Sequence, residues 1–312
     1  MSDIQPPALP PSSPESSRGR TRRKRRGRLR NALEAAGVRL IAGLCRLLGL
    51  DAASAVSGAV WRTLGPFNRR HRRALDNLAK AFPEKTPAER ERIARAAWEN
   101  LGRNMAEGFL LDRLLASPER FDDRAVPIFA AARAEGRGLV AVSAHYGNWE
   151  LGAKSVVEAG FRPMGVYRAI ENPHVDALVR RMREPLYLGG LVAKGPEAPR
   201  RLIGHARSGE AVVIMADLRD GRGVEVPFLG RPSRSTPFPA IVARLLDAPL
   251  IAGRVVRTKG VRFEMLCERI DVVRTGDRDA DVLATTAAVA ALFERWIRER
   301  PEQWMWSMGR WR

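Results

Sequence analysis

The sequence predicts an α/β fold: a mostly parallel central sheet flanked by helices, preceded by an N-terminal helical membrane-associated region. Three observations carry that prediction. From residue 138, short apolar runs alternate with helical segments, the pattern of parallel strands joined by crossover helices. The first third of the chain reads as helical, and its first apolar helix follows directly on a dense basic block.

Taken in order, residues 1–30 read as a disordered tail. The first 17 are rich in Pro and Ser, and residues 18–30 contain nine basic side chains, which is not the form of an ordinary signal peptide. Residues 31–66 are the expected membrane-associated helical segment. There Leu33, Leu40, Ile41, Leu44, Leu47 and Leu48 recur at helical spacing beside a polar stripe, while Glu34, Arg39 and Arg46 argue against a fully lipid-buried span. A helix lying in the interface plane satisfies both observations, and burial in the protein core is the alternative. The basic block favours the membrane, since each basic residue near an anionic leaflet contributes about 1 kcal/mol. Residues 51–64 predict a small-residue helix and 69–81 a basic one. Thr86, Pro87 and Glu89 then form a capping box that opens a helix running to about Gly108.

Residues 67–312 make up the main domain. Its strands are expected at 139–143, 163–167, 211–216, 250–256 and 262–266, with helices at 149–159, 173–182, 199–208, 237–246 and 280–298. No internal repeat is visible.

With 312 residues, 45% apolar and 29% charged, the chain can bury a sizeable core. Its formal net charge of +19, from 54 Lys and Arg against 35 Asp and Glu, points to an anionic partner: nucleic acid, acidic lipid headgroups or an acidic protein. Nucleic acid is not expected. No zinc-finger, RNA-recognition or helix-turn-helix signature accompanies the basic block, and aromatics, 6% of the chain, are not interleaved with it as stacking platforms. Cys45 and Cys267 stand alone, and His71, His145, His174 and His205 are scattered, so neither a disulfide framework nor a metal site is expected.

The informative segment is GLVAVSAHYGNWE at 138–150: a buried strand, a His at its end, a Gly-containing turn and a helix start. A His at the carboxyl end of such a strand stands where open α/β folds place their ligands. Glu150, five residues on, is expected to reach back to the ring and hold one nitrogen protonated, leaving the other to take a proton from an attacking hydroxyl. Apart from Ser143, no nucleophilic Ser or Cys stands nearby, which favours direct attack over a covalent intermediate. Backbone N–H groups from Tyr146 through Gly147 to Asn148 are candidate oxyanion donors, with Arg168 as an alternative. Arg219, Arg222, Arg231 and Arg234 crowd a Gly- and Pro-rich stretch read as a loop at the site mouth, where they can meet phosphates or an acidic protein. Trp304, Trp306 and Trp311 either anchor at a membrane interface or pack against the sheet edge.

AHYGNWE resembles the H(x)4D/E signature of the glycerolipid acyltransferase superfamily. Residues 33–312 resemble the lipid A biosynthesis acyltransferases that add secondary lauroyl or myristoyl chains. The further marks are NLAKAFPEKTPAERERIARAAWENLGR at 77–103, VYRAIENP at 166–173, GEAVVIMADLRDGRGVEVPFLGRPSRST at 209–236 and PEQWMWSMGRW at 301–311. The resemblance implies transfer of an acyl group from acyl carrier protein to a hydroxyl of a lipid A precursor or related glycolipid, at the cytoplasmic face of a bacterial inner membrane whose surface is anionic. It implies His145 as base, Glu150 as its acidic partner, and substrate binding by Arg168 and by the block containing Asp217 and the VPF segment at 226–228. After Asp217 the family often has Gln, where this chain has Leu218 and Arg219. No cofactor is expected, because the thioester donor is already activated. A lysophospholipid or another glycolipid is the alternative acceptor.

Overall fold

The computed structural model describes residues 15–311, with side chains from residue 27 onward; residues 1–14 of the expected tail lie outside the described residues. Helix α1 spans Glu15–Leu48, so the second half of the segment expected to be disordered is drawn into helix. Arg and Lys are good helix formers, and a helix already nucleated by the apolar part extends readily through them. The leucine-rich stripe of α1 does not enter the core. Leu33, Leu40, Ile41, Leu44, Leu47 and Leu48 are all more than half exposed, whereas Ala35 and Cys45 face the protein. The helix is fastened by the Asn172 amide, which donates to Asn31 O at 2.8 Å, and by Arg46 with Asp112 at 3.1 Å. No helix among the described residues is long and apolar enough to cross a membrane.

Helices α2 (Leu50–Leu64), α3 (Arg69–Ala81) and α4 (Pro87–Phe109) follow, and α4 opens on the expected capping box, Glu89 and Thr86 satisfying each other's backbone N–H. Small residues let α2 lie close on α4: Ser57 Oγ donates to Gly102 O at 2.7 Å, and a Cβ at Gly102 would stand 2.6 Å from Ser57 O. A short α5 (Leu111–Leu115) leads to β1 (Phe121–Asp123), α6 (Val126–Ala134) and β2 (Leu139–Ser143). The helix expected at 149–159 is broken into a 3-10 turn at Trp149–Leu151 and α7 (Lys154–Glu158), because Gly152 N closes on Trp149 O. Then come β3 (Met164–Tyr167), α8 (Pro173–Arg183), β4 (Gly190–Ala193), α9 (Ala198–Arg207) and β5 (Ala211–Met215). The chain continues through β6 (Val224–Phe228), β7 (Arg231–Ser235), α10 (Phe238–Leu246), β8 (Leu250–Arg257), β9 (Phe263–Ile270) and α11 (Arg278–Glu299).

Seven strands form one sheet in the order β1-β9-β8-β2-β5-β3-β4, parallel except where β8 meets β9. The expected parallel sheet is therefore present, with two short edge strands, β1 and β4, beyond those expected. The Gly- and Pro-rich stretch carrying Arg219, Arg222, Arg231 and Arg234, expected to be a loop, contains a separate antiparallel pair, β6 and β7. Strand β2 is buried along its whole length, and its alternation divides the core: Val140 and Val142 face one cluster with α9, α10 and α11, while Leu139 and Ala141 face another with α6 and α7.

Candidate active site

Parallel pairing of β2 with β5 matches Ser143 with Met215, so the residues two positions beyond each strand, His145 and Asp217, emerge side by side at the carboxyl edge. Asp217 Oδ1 lies 2.8 Å from His145 Nδ1, and Oδ2 accepts from the His145 backbone N–H at 2.9 Å and from Trp304 Nε1 at 2.8 Å. The carboxylate is fully buried, while the imidazole is partly exposed and Nε2 makes no hydrogen bond to the described residues. Burial alone would lower the His145 pKa, but the charge and hydrogen bond of Asp217 outweigh it and hold the imidazole above its ordinary value. Burial likewise opposes ionisation of Asp217, and the imidazole with the two further donors reverses that, so its pKa is lowered. With a carboxylate at Nδ1, the neutral ring carries its proton there and leaves Nε2 as a base.

The carboxylate expected at the imidazole was Glu150, and that expectation is corrected. Glu150 Oε2 and Oε1 instead accept from Nε and Nη2 of Arg183, each at 2.6 Å, and Oε1 also accepts from Trp149 Nε1 at 3.2 Å. Arg183 comes from the last turn of α8. Burial disfavours its charged form, but Glu150 more than compensates and raises its pKa.

The turn carrying His145 is held from α4. Asn100, Asn104 and Glu107 share one helix face; both Asn amides donate to Gly147 O, at 2.9 and 2.5 Å, and Glu107 accepts from Asn148 Nδ2 at 2.7 Å. Arg257, at the end of β8, closes the network with Nη1 and Nη2 on Glu107 at 2.6 and 2.8 Å and with bonds to Asn100 and Asn104. Gly147 sits at φ 56°, and a Cβ there would fall 1.6 Å from Val255 O, so only glycine fits. These bonds overturn the oxyanion assignment. Tyr146 N donates to Ala144 O, Gly147 N to Gln303 O and Asn148 N to Val255 O, so none of the three is free, and the Asn148 side chain turns into the buried network rather than toward a ligand.

The other expected site residues divide. Arg168 is exposed just beyond β3 and makes no hydrogen bond or ion pair with the described residues. Arg219 lines a separate basic cavity with Arg231 and Arg234, which Arg222 does not join. Trp304 and Trp306 are buried, which settles them as packing residues; Trp304 closes over Asp217 and Trp306 Nε1 donates to Pro301 O. Sequence reasoning missed Arg183, Trp304 as a donor, and the network on α4. The last had a legible signal, polar residues at 100, 104 and 107 recurring on one face of an amphipathic helix.

Beside the Glu150–Arg183 pair opens a largely apolar cavity of about 180 Å³ between α4 and α8, lined by Leu101, Met105, Gly108, Phe109, Val179 and Met182 among others. The family model of the bacterial lipid A biosynthesis acyltransferases matches residues 21–312. The chain belongs to that family. Over 255 residues it is 27% identical to the phosphatidylinositol mannoside acyltransferase of Mycobacterium tuberculosis, from strains CDC 1551 / Oshkosh and ATCC 25618 / H37Rv alike, with 75% of each chain covered. As a member of the lipid A acyltransferase family it is an enzyme that transfers acyl groups, and it has an acyl donor and a lipid acceptor as substrates.

Proposed function

We propose that this acyltransferase moves a fatty acyl group from an acyl carrier protein thioester to a hydroxyl of a lipid A precursor or related glycolipid, at the cytoplasmic face of the inner membrane. The observation that carries the reading is the His145–Asp217 pair at the carboxyl edge of the sheet, with Nε2 left unbonded. Nε2 takes the proton of the acceptor hydroxyl as its oxygen adds to the thioester carbonyl. Collapse of the tetrahedral intermediate breaks the C–S bond, and the imidazolium returns the proton to the departing thiolate. Asp217 fixes the tautomer and stabilises the imidazolium.

Arg183 is linked to this chemistry through Trp149, whose ring packs edge-on to His145 at 5.4 Å and whose Nε1 donates to Glu150, the acceptor of two Arg183 nitrogens; its charge opposes protonation of His145. We assign it stabilisation of the oxyanion through the remaining donors, with Glu150 as its positioning residue. The neighbouring apolar cavity takes the acyl chain. The exposed leucine stripe of α1, next to the basic block, lies on the anionic bilayer and brings the site to its lipid acceptor.

The mycobacterial relatives, phosphatidylinositol mannoside acyltransferases, keep a second acceptor in view, a phosphatidylinositol mannoside. One experiment decides: membranes containing the wild-type protein are given radiolabelled acyl carrier protein thioester and either a tetra-acylated lipid A precursor or a phosphatidylinositol mannoside. Label should pass to the lipid A precursor and fall by roughly 10² to 10⁴ in His145→Ala. Label in the mannoside alone would replace the acceptor, and full activity in His145→Ala would end the assignment of the base.

A further inference from the structure

A second cavity, about 320 Å³, lies between α3, the β6–β7 pair and the C-terminal segment. Five basic side chains line it, Lys80, Arg219, Arg231, Arg234 and Arg310, against one carboxylate, Glu225. Four of these cations are half-buried or exposed and by themselves would be a solvated charge run. Arg310 is different, being only 2% exposed.

The Arg310 guanidinium is built in. Its backbone oxygen accepts from Ser233 Oγ at 3.1 Å, and the preceding chain is tied to α3 by the Asn77 amide, which donates to Trp306 O and Met308 O at 2.9 and 2.8 Å. Nη2 donates to Ser235 Oγ at 2.6 Å, and the guanidinium carbon sits 4.2 Å from the Phe228 ring centroid. Nε and Nη1 are buried with no partner among the described residues, and so is Nε1 of Trp311, which lines the same cavity. Arg310 forms no ion pair with a described carboxylate. Asp217 is near enough to favour its charge, but that carboxylate is already bound by His145 and Trp304.

A buried cation with no counter-ion, and with a single neutral hydroxyl as its only acceptor, is destabilising, and one cation–π contact does not offset that. Burial accordingly pushes the Arg310 pKa down to about 10. Three buried, unpartnered donors on two residues that line one cavity, with four more cations around it, call for an anion with several acceptor oxygens and more than one negative charge. A carboxylate has too little of both; a phosphoester has enough, and guanidinium forks match its geometry.

We propose that this cavity binds the phosphate group of a phosphoester, with Arg310 and Trp311 as its buried donors and Arg219 and Arg231 at its rim. The site abuts the reacting centre, because Phe228 packs against both Trp311 and Trp304, the donor to Asp217. Only the identity of the ligand rests on the acyltransferase reading. Under that reading the phosphate belongs either to the acceptor's headgroup or to the phosphopantetheine arm of the donor.

The test is direct binding without turnover. Inorganic phosphate is titrated calorimetrically into wild-type protein, Arg310→Gln, Trp311→Phe and the rim variant Arg219→Ala/Arg231→Ala. Wild type should bind saturably, and each variant should lose about tenfold or more. If Arg310→Gln does not fold, the other two carry the comparison. Absence of saturable binding, or affinity unchanged in the folded variants, overturns the site. Displacement of phosphate by 4′-phosphopantetheine but not pantetheine assigns it to the donor. Displacement by vesicles containing phosphatidic acid but not diacylglycerol assigns it to a lipid headgroup, and displacement by neither overturns the proposal. Phosphate binding without transfer from acyl carrier protein to the lipid A precursor would sink the proposed donor and acceptor and leave the site standing; transfer without phosphate binding would do the reverse.

Discussion

His145 Nδ1 and Asp217 Oδ1 meet at 2.8 Å across 72 residues of chain, because two parallel strands in register deliver them to the same edge of the sheet. The pair is asymmetric: the carboxylate is sealed from solvent by Trp304 and the backbone of His145, while the imidazole keeps one nitrogen for chemistry.

Removing the charge of Asp217 should therefore act on rate and on pH dependence together. Asp217→Asn is expected to lower kcat by about 10² to 10⁴ and to move the acidic limb of kcat/KM to lower pH, since the base loses the anion that raises its pKa. Glu150→Gln should move that limb the same way but by less, since Glu150 ranks behind Asp217 among the charges that raise the imidazole's pKa, and should reduce kcat through Arg183. A limb that moves with Glu150 and not with Asp217 would reverse the assignment.

The same pair sets a stability window. His145 has a raised folded pKa, so its contribution is complete below its ordinary value of 6.5 and is lost as pH rises through the folded value. Asp217 has a lowered one, so its contribution is complete above 3.8 and is lost as pH falls through the folded value. The stability difference between wild type and His145→Gln/Asp217→Asn, followed by urea unfolding, should be largest between those two pH values and narrow on either side.

Glu107 receives Ser54, Asn148 and both terminal nitrogens of Arg257 while fully buried. Glu107→Ala leaves the Arg257 charge uncompensated and should cost about 3–5 kcal/mol in urea unfolding. A cost under about 1 kcal/mol would mean that Arg257 is relieved by some other partner.

Gly108 lines the apolar cavity, and a Cβ there would meet only Met182 Cε, at 3.9 Å. Gly108→Leu should fold and should shift donor preference toward shorter acyl chains, by roughly fourfold for each methylene excluded. Unchanged chain preference would place the acyl chain elsewhere.

Leu44 and Leu47 project from α1 with half or more of their surface exposed. Leu44→Glu/Leu47→Glu should weaken sedimentation with anionic vesicles by about tenfold or more while leaving the unfolding midpoint unchanged. Equal sedimentation would remove this stripe from the membrane contact.

What the sequence disclosed and what it hid follow from the range of the forces involved. The span of α3 and the capping box of α4 depend on residues within a turn or two, and β2 announces itself by an unbroken apolar run; all three match their expected bounds. The hairpin of β6 and β7 has the sequence signature of a loop. Pro227 and Pro232 lie opposite one another within it, and its turn is Leu229-Gly230, both at positive φ, where an Asn-Gly pair is the recognisable signal. Leu229 is held there by the Glu294 carboxylate, which accepts its N–H at 2.6 Å from another helix. Strands β1 and β4 are edges of three and four residues, too short for periodicity to register. Assigning Glu150 to His145 followed local spacing, whereas the actual partner depends on strand order and register, which no local pattern encodes.

The segment at 301–311 supplies the indole that caps Asp217, and Met305 N donates to His145 O at 3.1 Å. Translation emits this segment after every strand of the sheet. A nascent chain can therefore lay down its hydrophobic layers on the ribosome while its dyad is still unroofed, and the centre is completed only when that late stretch docks. Docking of that segment thereby acts as a timer on activity, since the Asp217 carboxylate has no indole donor until it arrives.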